Sequence, residues 1–208
     1  MIVEAGHFAL VLAFAVAIVQ SVIPFWGARL HHPSLMMVGV SAALTQCLFV
    51  TLSFCALATA YLTSDFSVLN VAENSNSAMP LLYKFSGLWG NHEGSMLLWS
   101  LILSLFGALI AVGGRALPAQ LRADSIAVQG LMSAAFLLFI LLTSNPFARL
   151  FPAPVEGQDL NPILQDPGLA IHPPLLYLGY VGFSIVFSFA AAALIGGRID
   201  AAWARFVR

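Results

Sequence analysis

A histidine set against two prolines, His172-Pro173-Pro174, ends a polar, proline-rich loop, NPFARLFPAPVEGQDLNPILQDPGLAIHPP (145–174), and opens an apolar run. Pro146, Pro152, Pro154 and Pro162 stiffen that loop, and Pro167 closes it. A residue before proline is pushed out of the helical region. The pattern therefore predicts an extended His172 with Pro174 in the first helical turn, where a missing N–H costs nothing. The imidazole then stands at a helix mouth, whose positive end disfavours imidazolium and keeps the ring in the neutral form that ligates metal. The plainer alternative is a structural histidine hydrogen-bonded to a loop carboxylate such as Asp166.

A second stretch, YKFSGLWGNHEGSMLLW (83–99), is aromatic and apolar around Lys84, His92 and Glu93. Two readings stand side by side. One is an aromatic belt at a membrane surface, where Trp and Tyr rings prefer to sit. The other is a flat shelf for a planar ligand, formed by Trp89, His92 and Trp99, with Gly87, Gly90 and Gly94 letting backbone approach something large. Elsewhere the chemistry is thin. His31-His32 lie in a short turn with no Cys or carboxylate to complete a ligand set; interfacial anchoring is their ordinary reading. Cys47 and Cys55, eight residues apart, would lie roughly 12 Å apart along a helix, too far for a disulfide. No phosphate loop, Ser/His/Asp set or CxxC is present, so soluble nucleotide or hydrolytic chemistry has no support. A net charge of −1 with scattered basic residues likewise argues against nucleic acid.

The elements that must position these residues are membrane helices. Of the 208 residues 60% are hydrophobic and 8% charged, against roughly a quarter charged in a soluble domain, and the mean hydropathy is +0.93. Five stretches free of Asp, Glu, Lys and Arg, 8–26, 36–62, 95–113, 125–143 and 174–195, reach or approach the length of about 20 residues that a bilayer core requires. The fold class is thus all-α, a polytopic bundle of about five transmembrane helices in a single membrane domain. The second stretch is longer than necessary, so it tilts or starts its helix outside the hydrocarbon. The first lacks a basic leader, showing Glu4 and His7 instead, and reads as a permanent helix rather than a signal peptide.

Arg29, Arg115, Arg122, Arg198, Arg205 and Arg208 fall on one side of such a bundle and only Lys84 and Arg149 on the other. The positive-inside rule then makes 27–34, 114–124 and 196–208 cytoplasmic. The N-terminus and the longer loops 63–94 and 144–173 face outward, together with Glu4, Asp65, Glu73, Glu93, Glu156, Asp159 and Asp166.

Three strings, YKFSGLWGNHEGSMLLW (83–99), NPFARLFPAPVEGQDLNPILQDPGLAIHPPLLYLGYVGFS (145–184) and GRIDAAWARFVR (197–208), resemble the N-terminal part of the cytochrome c maturation family CcmF, also called CycK, with its paralogue NrfE. The resemblance runs from end to end of the chain. It implies a multi-pass subunit of the cytochrome c haem lyase in the bacterial inner membrane, working on the periplasmic face. There haem b, as the substrate, passes from the haem chaperone CcmE to the CxxCH motif of apocytochrome c, which CcmH and CcmI present. Carried onto this sequence, His172 matches the family's first periplasmic histidine, an axial ligand to the haem iron. Trp89, His92 and Trp99 fall in a second characteristic segment and are given a haem-facing role.

No residue is assigned as catalytic, because the protein binds and orients while haem supplies the chemistry. Family members are roughly three times longer, and the tryptophan-rich signature, the partner periplasmic histidine and the transmembrane histidines for a resident haem do not occur here. This segment by itself is therefore expected to be catalytically incomplete. Two other classes remain beside the haem lyase. A transporter or channel subunit for haem or another organic anion would place charge near mid-membrane, and the five apolar stretches hold none. A non-catalytic assembly scaffold would show no haem band that depends on His172.

Overall fold

In the computed structural model residues 1–197, 199, 203 and 204 are described; Arg198, Arg205 and Arg208, half of the basic set behind the orientation, lie outside them. The chain forms α1 (Ile2–Arg29), α2 (Pro33–Leu62), α3 (Leu69–Asn74), α4 (Leu81–Ser86), α5 (His92–Gly113), α6 (Ala119–Thr143) and α7 (Pro167–Gly196). Five of these are long and apolar enough to cross a membrane, in the five places that the charge-free runs indicate. No strand forms among the described residues, which hold one isolated antiparallel bridge, Val68 with Arg149.

Every long helix extends past its apolar run, and local start signals rather than the edge of the charge-free run set where α2, α5 and α7 begin. Pro33 at the first position starts α2 three residues ahead of the apolar stretch. Asn91 caps α5, its side chain accepting from the Gly94 amide. Asp166 caps α7 through the Gly168 and Leu169 amides, with Pro167 in the first turn. Both long loops are consequently shorter than expected, 63–91 and 144–166, since 92–94 and 167–173 are the opening turns of α5 and α7. At 1.5 Å per residue a 30-residue helix such as α2 or α7 spans about 45 Å against a hydrocarbon core of about 30 Å, so its ends stand in the interface.

The core lies where α1, α2, α5 and α6 meet, around Leu10, Leu57, Tyr61, Leu97, Leu137 and Ile140, all fully buried. Lipid tails are as apolar as leucine, so close packing and interhelical hydrogen bonds hold such a bundle together. Gln20 of α1 donates to the Ile126 carbonyl of α6 at 3.2 Å, and Gln129 of α6 donates to Ser184 of α7 at 3.1 Å. At the end away from the long loops, Arg29 bonds both oxygens of Asp124 at 2.9 and 3.1 Å, and Gln120 donates to the Ala28 carbonyl. Cys47 and Cys55 are free thiols, as their separation requires.

α7 packs against α5 and α6. Its buried positions Ala170, Val181, Ser188 and Ala192 follow one stripe at about 100° per residue. The opposite stripe, with Leu175, Leu176, Phe183 and Leu194, is exposed.

Candidate functional site

The two long loops are clamped to one another over one end of the bundle. The bridge at Val68 and Arg149 is made by Leu69 N–H to the Ala148 carbonyl at 2.8 Å and Leu150 N–H to the Ser67 carbonyl at 2.9 Å. Arg149 also pairs with Glu4 and Asp65, tying both loops to the start of α1. Partial burial works against ionisation of Asp65, but hydrogen bonds from Ser67 and the charge of Arg149 outweigh it and hold the carboxyl below the usual carboxylate range. Farther along, the Ser77 amide and hydroxyl bond Glu156 at 2.9 and 2.5 Å. These donors, with the Gly157 amide, lower the Glu156 pKa. Lys84 is buried and donates to Ser64 at 2.8 Å.

Beneath the clamp, Asn91 is a hub. Its amide donates to the Tyr61 hydroxyl at 3.0 Å and to the Gly87 carbonyl at 2.7 Å, while its oxygen accepts from the Gly94 amide and from Asn70. The Tyr61 hydroxyl donates in turn to Asn70 Oδ1 at 2.7 Å. A buried network satisfied in this way fixes its members in one arrangement. It pins the 3₁₀ turn Gly87–Trp89 onto the first turn of α5. A methyl group on Gly94 would fall 1.6 Å from the Leu88 carbonyl oxygen. Gly90 similarly faces Leu160 of the second loop and Gly87 faces Tyr61, so the large thing these three glycines accommodate is the chain itself rather than a ligand.

Trp89 leaves that turn packed edge-on to Phe85 at 5.2 Å between ring centroids and donates its indole N–H to the Ala170 carbonyl of α7 at 2.9 Å. Trp99 lies between helices, stacked on Phe136 of α6 at 5.3 Å and against Tyr177 and Tyr180 of α7 at 5.8 and 5.6 Å. His92 is seven residues ahead of Trp99 and so on the same stripe of α5. It bonds Ser144 at 2.9 Å and lies edge-on to Phe139 of α6.

His172 sits elsewhere. It is helical, in the second turn of α7, not extended at the helix mouth: Asp166 and Pro167 supply the cap and first-turn proline that His172 and Pro174 were expected to supply, and Pro173 and Pro174 lie inside the helix. Two competing proline signals occur within eight residues, and the one with a carboxylate in front of it prevails. The Asp166 carboxylate is spent on two amides, so the alternative of a His172–Asp166 bond is not realised. His172 is exposed and stands about 200° round the helix from Ala170, on the outward stripe above Leu175 and Leu176. No described residue hydrogen-bonds it.

The structure therefore joins His92 and Trp99 along one interhelical aromatic row, links Trp89 to α7, and leaves His172 facing out on the far side of that helix. Asn91, the hub that sequence reasoning missed, is a favoured N-cap residue type ahead of an apolar run, but nothing local reports its bond to Tyr61. No group of three or more His, Cys, Asp or Glu side chains that could hold a metal ion occurs among the described residues, and His7, the other histidine at this end, packs edge-on to Phe147.

Five helices long and apolar enough to cross a membrane, joined by a histidine-bearing, aromatic-rich loop end, define a polytopic helical membrane protein. Residues 89–203, which contain Trp89, His92, Trp99 and His172, match the family described as cytochrome C assembly protein, and the chain belongs to that family. It is 65% identical over its whole length to the cytochrome c-type biogenesis protein CycK of Rhizobium meliloti and 46% identical to CcmF of Escherichia coli. It spans 31% and 32% of those relatives' lengths, about a third. A solved structure of the cytochrome c heme lyase CcmF superposes on all of this chain with a TM-score of 0.87, at 24% identity and over 32% of its own length, so the two share a fold.

Proposed function

We propose that this chain forms part of the haem-handling membrane subunit of a cytochrome c haem lyase, its clamped loop end on the periplasmic face of the inner membrane. His172 is the axial ligand to the haem iron in this reading. Haem b is the substrate, received from the chaperone CcmE and joined to the CxxCH cysteines of an apocytochrome c delivered by CcmH and CcmI. The observation that carries the reading is the exposed, unengaged imidazole of His172 near the start of α7, in a chain of the cytochrome c assembly family. A histidine held by a rigid helix with both ring nitrogens open suits axial ligation. Its outward stripe leaves room for a planar ligand that α5 and α6 do not occupy, with a second imidazole from elsewhere completing the axial pair. Trp99 acts from the inner side, holding α7 against α5 and α6 through Tyr177, Tyr180 and Phe136, while His92 ties the start of α5 to the end of α6.

The outward orientation is supported by Arg29, Arg115 and Arg122 at the opposite end, while Arg149 at the loop end is paired with acids. In the assembled complex His172→Ala is expected to weaken the bis-histidine Soret band and the yield of c-type cytochrome together. An unchanged band with normal yield refutes the proposal. Ile163→Cys, in the exposed second loop, is expected to react with a membrane-impermeant maleimide from the periplasmic side, and labelling only after inner-membrane lysis refutes the orientation.

A further inference from the structure

Pro174 cannot donate the amide hydrogen that an α-helix would direct at the carbonyl four residues earlier, which is that of Ala170. Pro173 likewise frees the Leu169 carbonyl, but Leu169 is exposed near the helix start, where solvent can serve it. Ala170 is only 2% exposed, so water does not reach it freely, and a buried carbonyl left without a donor is costly. The indole N–H of Trp89 takes that place at 2.9 Å. The donor is itself held, because Ser95 bonds the Trp89 carbonyl at 2.8 Å and the Asn91 network fixes the turn that carries it.

We propose that Trp89 is a positioning residue for His172: its indole supplies the hydrogen bond that Pro174 withholds from Ala170, and so sets the course of the first two turns of α7 and the direction in which His172 points. This rests on the reading of His172 as a haem ligand. It replaces the expected contact of Trp89 with haem by a role exerted through the helix. The double proline acquires a function as well. It opens a single buried acceptor through which the 83–99 segment grips the histidine-bearing helix on the side away from the substrate.

The test is a cycle in the assembled full-length protein, with Trp89→Phe, Pro174→Ala and both together, read by the Soret band and reduction potential of bound haem and by amide hydrogen exchange over 175–178. Phenylalanine keeps most of the ring packing and loses the N–H; alanine at 174 restores a backbone donor to Ala170. Trp89→Phe is expected to lower haem occupancy at His172 and to raise exchange over 175–178, each roughly tenfold for one lost buried hydrogen bond. The double variant is expected to recover most of both. A double variant no better than Trp89→Phe overturns the proposal, as does a Trp89→Phe protein with unaltered potential and exchange. His172→Ala with an intact Soret band sinks the ligand reading instead; exchange in the cycle then still decides whether Trp89 and Pro174 are paired.

Discussion

Arg29→Ala should be the most damaging exposed-surface truncation at the end of the bundle away from the loops. Asp124 is 2% exposed, and Arg29 is its ion-pair partner, contacting both carboxylate oxygens at 2.9 and 3.1 Å. Removing one member of a fully buried pair costs about 3–5 kcal/mol, because the other charge is stranded. The Arg29 side chain is 38% exposed, so water already screens part of the attraction and can enter when the guanidinium leaves. Discounting for this, we expect about 2–3 kcal/mol, or a factor of roughly 30 to 150 in the folded-to-unfolded ratio, from the relation of 1.4 kcal/mol to tenfold. The Arg29 guanidinium also covers Phe25 at 4.2 Å, a smaller contribution of the cation–π kind. The assay is reversible unfolding in mixed micelles across the cycle Arg29→Ala, Asp124→Leu and the double variant. The double variant should recover much of the loss, since an apolar pair in lipid strands no charge. A cost for Arg29→Ala below about 0.5 kcal/mol, in the range of ordinary surface pairs, would refute the reasoning, as would additive single costs.

Further outcomes concern the loop end. Gly94→Ala places its methyl against the Leu88 carbonyl, a backbone atom that cannot swing aside, and is expected to cost several kcal/mol in the same unfolding assay; a thermal midpoint within error of wild type would show that the turn shifts freely. Glu156 has a folded-state pKa below its ordinary value because Ser77 and Gly157 donate to the carboxylate. Its latch is therefore fully present above the ordinary glutamate range and is lost as pH falls through the lower folded value. Hydrogen exchange of the Ser77 amide should accordingly rise, relative to its intrinsic rate, as pH falls from about 5 to 3. Glu156→Gln should remove that pH dependence, and its persistence in the variant would assign the effect to another acid.

Much of this molecule was legible without coordinates. Length and continuity of apolar runs are local quantities, and a bilayer leaves the backbone few alternatives to a helix. The five crossings, their alternation and the gathering of loops 63–91 and 144–166 at one end all follow from 8–26, 36–62, 95–113, 125–143 and 174–195. The strings around Trp89 and His172 were sufficient to place the chain among cytochrome c assembly proteins. The start of α7 was misplaced because Asp166-Pro167 and His172-Pro173-Pro174 both carry local start signals. The Asp166 cap opens the helix at the first, and the helix can run on through the second because the buried carbonyl that Pro174 frees finds a donor. That donor, Trp89, is 81 residues away from Ala170 in the chain.

The outward face of His172, the packing of Trp99 between α5, α6 and α7, and the burial of Asp124 under Arg29 were decided only by tertiary packing. A helix that is apolar all round carries no periodic mark of the side its neighbours will take. Sequence determined which segments enter the membrane and which residues could do chemistry. Packing decided which way each of them faces, because in lipid the choice of helix face is governed by close fit and hydrogen bonds between distant segments.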